Sequence, residues 1–239
     1  MKSIILSAGH SNKIGRDRGA AGSGFVEGNL TVELRQLISD DLKKLGLNPI
    51  MDGNNTILAE SLNFFKKLIS ANAIALEIHF NSGPDTATGV ETLVPENPSL
   101  NERIIASGLS QIVRDAMNIP MRGNNGVKTE LESHHGKLGW MRLNCENLLL
   151  EVCFISNPKE MEIYQKNKFI IGQRIAKYLY NVAAGNSLIA DSLQKYLVKS
   201  GDTLTLIAKN HNTTVDNLKK INHLQGDFIT VGQELIVNN

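Results

Sequence analysis

Cysteine, unbalanced charge and long apolar runs are all scarce in this chain, and each shortage closes off a class of protein. Cys145 and Cys153 are its two cysteines. Two cysteines do not make a disulfide framework, so both are expected as reduced thiols serving as small apolar side chains. The 25 basic and 24 acidic residues leave a formal net charge of +1. Binding dominated by phosphate needs a clear basic excess, so nucleic acid is not expected as a partner. No apolar run is long enough to cross a bilayer, and no membrane partner is expected either. The opening MKSIILSAGHS carries one Lys and an apolar stretch of Ile4, Ile5 and Leu6, far short of the core of a secretory signal. Synthesis in the cytoplasm without a signal peptide is the expectation that follows.

What is present is an ordinary globular composition, 41% hydrophobic and 21% charged over 239 residues, enough for one large core and a second, small one. The β-branched run 3–7 reads as a strand that meets a loop at Ala8-Gly9. From Glu27 onward, Leu30, Leu34, Leu37, Ile38, Leu42 and Leu45 form a helical stripe, and Gly46 supplies the stop. Residues 47–51 predict a short strand. Residues 55–72 predict an amphipathic helix with Leu58, Leu62, Phe65 and Ile69 on one face. A buried strand over 73–80 ends in the turn signals Asn81-Ser82-Gly83-Pro84.

The pattern continues with a strand over 89–94, a helix over 98–116, a buried strand over 148–154 and a helix over 158–184. Strands alternating with helices predict an α/β domain over residues 1–184, three-layered with a mainly parallel twisted sheet. Residues 117–147, rich in Asn, Gly and His, predict a long irregular segment of the kind that is usually functional or mobile. A linker is expected over 185–195, and a new compact α+β pattern (βααβ) runs over 196–239.

In open sheets of this type ligands gather at the carboxyl ends of the strands. His10 follows the first strand, Glu27 opens the long helix, His79 closes the strand over 73–80, and Glu151 ends the strand over 148–154. Two imidazoles and a carboxylate are a known ligand set for Zn²⁺ that leaves a position for water, and a further carboxylate can then accept a proton. These residues are far apart in the chain and form no local motif. Taken singly, each also fits a plainer role: a loop histidine, an acid at a helix N-terminus, a strand-end histidine with a backbone partner.

The words around them add to this. Ser7-Ala8-Gly9-His10-Ser11, Glu27 at its helix start, Ile78-His79-Phe80-Asn81-Ser82 and Leu149-Leu150-Glu151-Val152-Cys153-Phe154-Ile155-Ser156-Asn157-Pro158 resemble, in that order, the zinc-dependent N-acetylmuramoyl-L-alanine amidases of the α/β type. The resemblance spans about residues 1–182. It implies that His10, Glu27 and His79 hold Zn²⁺, that Glu151 is catalytic, and that the bond cut joins N-acetylmuramic acid to L-alanine. Val127-Lys128 and Trp140-Met141-Arg142 resemble the segment before the family's final strand, which implies that Arg142 or Lys128 holds the stem peptide of peptidoglycan.

Two departures stand out. Ser7-Ala8 replaces the family's common Asp-Pro, and Glu77 stands where a small residue or Ser is usual. Period-two alternation puts Glu77 on the same side of its strand as His79, where it either orients a ligand or pairs with a nearby cation. Residues 131–137, with His134 and His135, look like an insertion and are expected as a solvated loop.

The run Tyr196-Leu197-Val198-Lys199-Ser200-Gly201-Asp202-Thr203-Leu204, then Asn222, then Gly232-Gln233-Glu234-Leu235-Ile236-Val237, resembles a LysM module over its full length. Binding to a peptidoglycan-like glycan is implied, with Gly201, Asp202, Thr203 and Leu204 at one wall and Asn222 near the other. Asp202 or Thr203 is also placed to cap the first helix. Together the two resemblances imply a wall hydrolase of the phage endolysin type that reaches the wall once the membrane is permeabilised, or else a cellular autolysin. A zinc endopeptidase of the stem peptide and a non-catalytic wall-binding or phage structural protein are the rival expectations.

Overall fold

Alternating strands and helices in the first three quarters of the chain build one six-stranded sheet with helices on both faces. The computed structural model describes residues 1–134, 136–186, 195–211, 213–222, 224 and 226–237. Two units result, Met1–Asn186 and Ser187–Asn239.

The larger unit runs β1 (Ser3–Ser7), β2 (Ala21–Gly22), β3 (Phe25–Val26), α1 (Glu27–Lys44), β4 (Ile50–Met51), α2 (Leu58–Lys66), β5 (Ala73–Asn81), β6 (Glu91–Val94), α3 (Leu100–Met117), β7 (Val127–Thr129), β8 (Glu146–Phe154) and α4 (Pro158–Ala183). Strand order is β4-β1-β5-β8-β6-β7. All neighbours are parallel except β6 and β8, which run antiparallel. The mainly parallel sheet expected from the alternation is what forms.

Local chemistry explains the helix ends. Leu30, Leu34, Ile38 and Leu42 are the buried stripe of α1, and Gly46, at φ +85°, ends it in the left-handed region that costs glycine nothing. Ser99 and Glu102 form a capping box at the start of α3. Asn157 caps α4, with Pro158 following.

Three elements are shorter than the pattern predicted. The helix expected over 55–72 is confined to α2, because Thr56 is held in a turn by Gly53 O and the Asp52 carboxylate, and Leu68 and Ile69 both fold back onto Phe65 O. The strand expected over 47–51 is reduced to Ile50–Met51. The strand expected from Gly89 begins at Glu91, since Gly89 sits at φ +112°, outside strand geometry.

The sheet's two faces differ, and the difference positions the site. Alternation puts Ile5, Ala73, Ala75, Leu93 and Leu149 on one face, where they pack with Phe65 of α2 and with Trp140 and Met141. Register carries the same face toward the carboxyl ends of the parallel strands. One row reads Ser7, Glu77, Leu149, Leu93, Lys128, and the next reads His79, Glu151, Glu91. The face is thus apolar at one end and densely ionisable at the other.

The smaller unit contains β9 (Lys195–Leu197), α5 (Leu204–Asn210), α6 (Val215–Ile221) and β10 (Glu234–Ile236). The strands pair antiparallel around a core of Val198, Leu204, Ile207, Leu218, Leu235 and Val237. Most of the linker expected over 185–195 lies outside the described residues. Among the described residues, no helix is long and apolar enough to cross a membrane.

Candidate active site

The turn after β1 is built from glycine because side chains crowd it. Gly9 is at φ +66°, and a Cβ there would lie 2.4 Å from Nε2 of His79. Gly19, at φ +67°, is closed in the same way by Glu27 and His10, at 2.4 and 2.5 Å. These two close approaches let the loop carrying His10 fold over the end of β5.

His10, Glu27 and His79 converge there, with one possible ligand atom from each lying within 4.8 Å of the others. Glu27 is the centre. Its Oε1 lies 3.1 Å from His79 Nδ1 and accepts the Phe80 N–H at 3.0 Å. Its Oε2 lies 3.5 Å from His10 Nε2 and accepts the Ala20 N–H at 2.8 Å. Burial pushes the Glu27 carboxyl up, but the hydrogen bond and charge of His79, the charge of His10 and the Phe80 N–H outweigh it and hold the group below its usual range. For His79 burial pulls down, and the carboxylates of Glu27 and Glu77 outweigh it and push the ring well above its usual value.

Each ring's far nitrogen faces a further carboxylate. His10 Nδ1 is 3.3 Å from Asp17 Oδ1, and His79 Nε2 is 3.4 Å from Glu77 Oε2. Of the two readings open for Glu77, the contact is to the histidine.

Glu151 stands beside this cluster, opposite His79 on β5 and opposite Glu91 on β6. It lies within β8 rather than at its end. Its Oε2 is buried without a hydrogen-bond partner among the described residues. Burial pushes its carboxyl up to about 8, with Glu27, Glu91 and Glu77 adding to the rise and His79 opposing it. Glu91 is the reverse case: burial raises it, but Lys128, Asn81 and Arg122 outweigh that and hold it ionised. Lys128 Nζ reaches Glu91 Oε2 at 2.6 Å and Arg122 Nε reaches the same oxygen at 2.8 Å. The Arg122 guanidinium also lies over the Phe154 ring, 4.9 Å from its centroid.

All of these residues line one cleft of about 1130 Å³, whose far wall is made by Glu132, Ser133, His134, Lys137 and Leu138. His134 is thus at the cleft, and His135 lies outside the described residues. Arg142, expected at the stem peptide, is not among the lining side chains. It pairs instead with Glu130 at 2.7 Å. Glu130 is fully buried, and a buried carboxylate needs a cation and donors; it also accepts the Leu138 and Glu96 N–H groups. Arg122, Glu91 and Asp17 were not picked out from the sequence. Register across β6 and β8 reveals Glu91, the ion pair with Glu91 reveals Arg122, and Asp17 lies in a loop of ordinary polar composition.

In the smaller unit the expected sugar-facing residues have internal partners. Asp202 Oδ2 accepts the Lys199 N–H at 2.7 Å and the Tyr196 hydroxyl at 2.8 Å. Thr203, not Asp202, caps α5 by accepting the Leu206 N–H at 3.2 Å. Leu204 is a core side chain, 3% exposed. Asn222 accepts the Ile236 N–H at 2.7 Å and donates to the Ile236 and Leu218 carbonyls. Leu204 and Asn222 thus use their side chains in the fold of the unit, and Gly201, at φ +89°, shapes the turn.

The comparison with known proteins agrees with this layout. The profile of the N-acetylmuramoyl-L-alanine amidase family matches residues 4–181, and that of the LysM domain matches residues 196–238. The uncharacterized protein YqiI of Bacillus subtilis is 28% identical over 167 residues, 67% of this chain and 74% of that one. An endolysin of Bacillus phage PZA is 51% identical over 59 residues, 24% of this chain and 22% of that protein. A solved structure of a proposed N-acetylmuramoyl-L-alanine amidase from Neisseria meningitidis superposes with a TM-score of 0.64 at 28% identity, covering 77% of this chain and 96% of that one. With a family profile spanning residues 4–181, this chain belongs to the N-acetylmuramoyl-L-alanine amidases, as a peptidoglycan-hydrolysing member with a LysM wall-binding domain at its C-terminus.

Proposed function

We propose that the chain cleaves the amide between the lactyl carbonyl of N-acetylmuramic acid and the amino group of L-alanine, using Zn²⁺ held by His10, Glu27 and His79 and a proton carried by Glu151. The observation that carries this reading is the convergence of those three side chains beside Glu151 in a family-matched domain. The donor set fits the ion. Two imidazole nitrogens and a carboxylate leave a coordination position for water, and one possible ligand atom from each of the three residues lies within 4.8 Å of the others.

When bound, zinc supplies Lewis-acid polarisation of the carbonyl and lowers the pKa of water from 15.7 to about 7. Glu151 takes the proton from the attacking water on Oε2, the oxygen left without a partner, and returns it to the departing amine nitrogen. An amide needs that return, because its nitrogen leaves poorly unless protonated. Burial holds the Glu151 carboxyl up at about 8, and a bound cation would favour its ionised form, bringing it toward the range where one group both takes and gives a proton near neutral pH.

Across the cleft, Lys128 and Arg122 share the single carboxylate of Glu91. Two cations on one anion leave a net positive charge, suited to a carboxylate of the stem peptide. In this reading Arg142 supports the cleft wall through Glu130. The LysM domain holds the enzyme on the glycan and raises its concentration at the bond by tethering. Partial identity to a phage endolysin supports a phage-type lytic role.

Digestion of purified walls tests the chemistry. The expected product is an intact stem peptide with a free L-alanine amine, and chelation should abolish its release. Peptides cut internally would replace this reading with an endopeptidase. Walls left intact by the zinc-loaded protein would replace it with a non-catalytic wall-binding role. For the phage-type role, expression inside the host should lyse cells only when a separate pore-forming protein opens the membrane.

A further inference from the structure

Glu77 is a buried acid, 2% exposed, at a position where the family commonly has a small residue. A buried carboxylate without compensation is costly, so what it faces matters. Its partner is His79, with Oε2 3.4 Å from Nε2, and its Oε1 has no hydrogen-bond partner among the described residues. The other nitrogen of the same ring is already directed at Glu27. Gly9 packs against the Nε2 edge, so the ring is boxed between backbone and two carboxylates.

A neutral imidazole carries its proton on one nitrogen and its lone pair on the other. The carboxylate at Nε2 therefore decides which nitrogen is free to ligate. His10 differs in its partner: Asp17 has a side chain 65% exposed, whereas Glu77 is buried.

We propose that Glu77 is a positioning residue for the metal centre: by accepting the Nε2–H of His79 it holds the ring in the tautomer whose Nδ1 lone pair faces Glu27 and His10. The proposal rests on the zinc reading above and adds to it a determinant outside the ligand set. Partners of this kind fix ring orientation and raise ligand basicity, and their loss typically weakens metal binding about 10- to 100-fold.

The test uses the full-length protein, stripped of metal and titrated with Zn²⁺ against a competing chelator. Glu77→Met keeps the volume and removes the acceptor. It should weaken zinc binding about 10- to 100-fold while the metal-free protein melts no lower than wild type, since an apolar replacement of a buried charge is often neutral or stabilising. Glu77→Gln keeps an acceptor and should restore much of the affinity. In zinc-loaded wild type, nitrogen-detected histidine spectra should show a slowly exchanging Nε2 proton on His79 that the Met variant lacks. If the Met variant does not fold, Glu77→Leu, which also lacks an acceptor, replaces it with the same expected loss. Wild-type affinity in the Met or Leu variant, or an Nδ1-protonated His79 in the loaded wild type, overturns the role of Glu77 and leaves the zinc reading standing. Wild-type protein that takes up no zinc overturns both, and the first titration separates that case.

Discussion

Glu151 lies directly opposite His79 in the β5–β8 ladder. Neighbouring strands are about 4.8 Å apart, so the proposed proton carrier stands one strand away from a proposed metal ligand, on the same face of the sheet. Its other neighbour, Glu91, is kept ionised by Lys128 and Arg122. One carboxylate is thereby held charged and the next is pushed toward the neutral form, by environment alone.

Glu151→Gln should abolish the proton transfer and spare the metal. A general acid–base group is worth about 10²- to 10⁴-fold in rate, so wall clearing by the variant should fall by that factor while its zinc content matches wild type. Activity within a few-fold of wild type would remove Glu151 from the chemistry. His79→Ala should instead lose both zinc and clearing.

The metal-free protein should become less stable as pH rises. Glu151 has an ordinary value of 4.5 and is pushed up to about 8 in the fold, first by burial. Between those values the folded state holds a proton that the unfolded chain has released, so stability falls through that window and levels off above it. Thermal denaturation of chelator-treated protein from about pH 5 to about pH 9 reads this, with Glu151→Gln as the comparison that isolates the group from His79. Parallel curves for the two proteins would contradict the assignment.

Arg142 and Arg122 should separate by phenotype. Arg142→Ala leaves the buried Glu130 carboxylate with backbone donors alone and should cost about 1–2 kcal/mol, toward the low end because the arginine itself is partly exposed. Arg122→Gln should leave Tm nearly unchanged, since Lys128 still pairs with Glu91, and should raise KM for carboxylate-bearing stem peptides several-fold. A KM effect from Arg142 without a stability loss would restore the expectation drawn from its sequence context.

Asn222→Ala should unfold the wall-binding domain rather than merely weaken its contact with sugar. It removes hydrogen bonds to both Ile236 backbone groups and to the Leu218 carbonyl, worth about 1–3 kcal/mol if left unsatisfied. The expected result is protease sensitivity confined to the C-terminal unit, loss of wall binding, and retained hydrolysis of soluble muramyl peptides. A folded variant that no longer binds chito-oligosaccharide would make Asn222 a sugar contact after all.

Much of this was legible before any coordinates. Period-two and period-3.6 patterns located the strands and helices, with errors at ends where turn hydrogen bonds such as those of Asp52 and Thr56 compete with helical propensity. His10, Glu27, His79 and Glu151 stood out because rare polar residues at strand and helix ends are conspicuous. The neighbours of Arg142 and Leu204 were not legible for one reason: a residue's place in a motif does not say which of its neighbours it faces.

The chain's order of apolar and polar residues by itself determined the α/β class, the two-part division and the types of side chain present for chemistry, because periodicity and propensity are local. Only the folded sheet decided that His79, Glu151 and Glu91 form one row, that Arg122 rather than Arg142 enters the cleft, and that Glu77 backs a histidine instead of a lysine. Those facts depend on strand register and burial, which bring residues distant along the chain to within a few ångströms and are written in no short stretch of it.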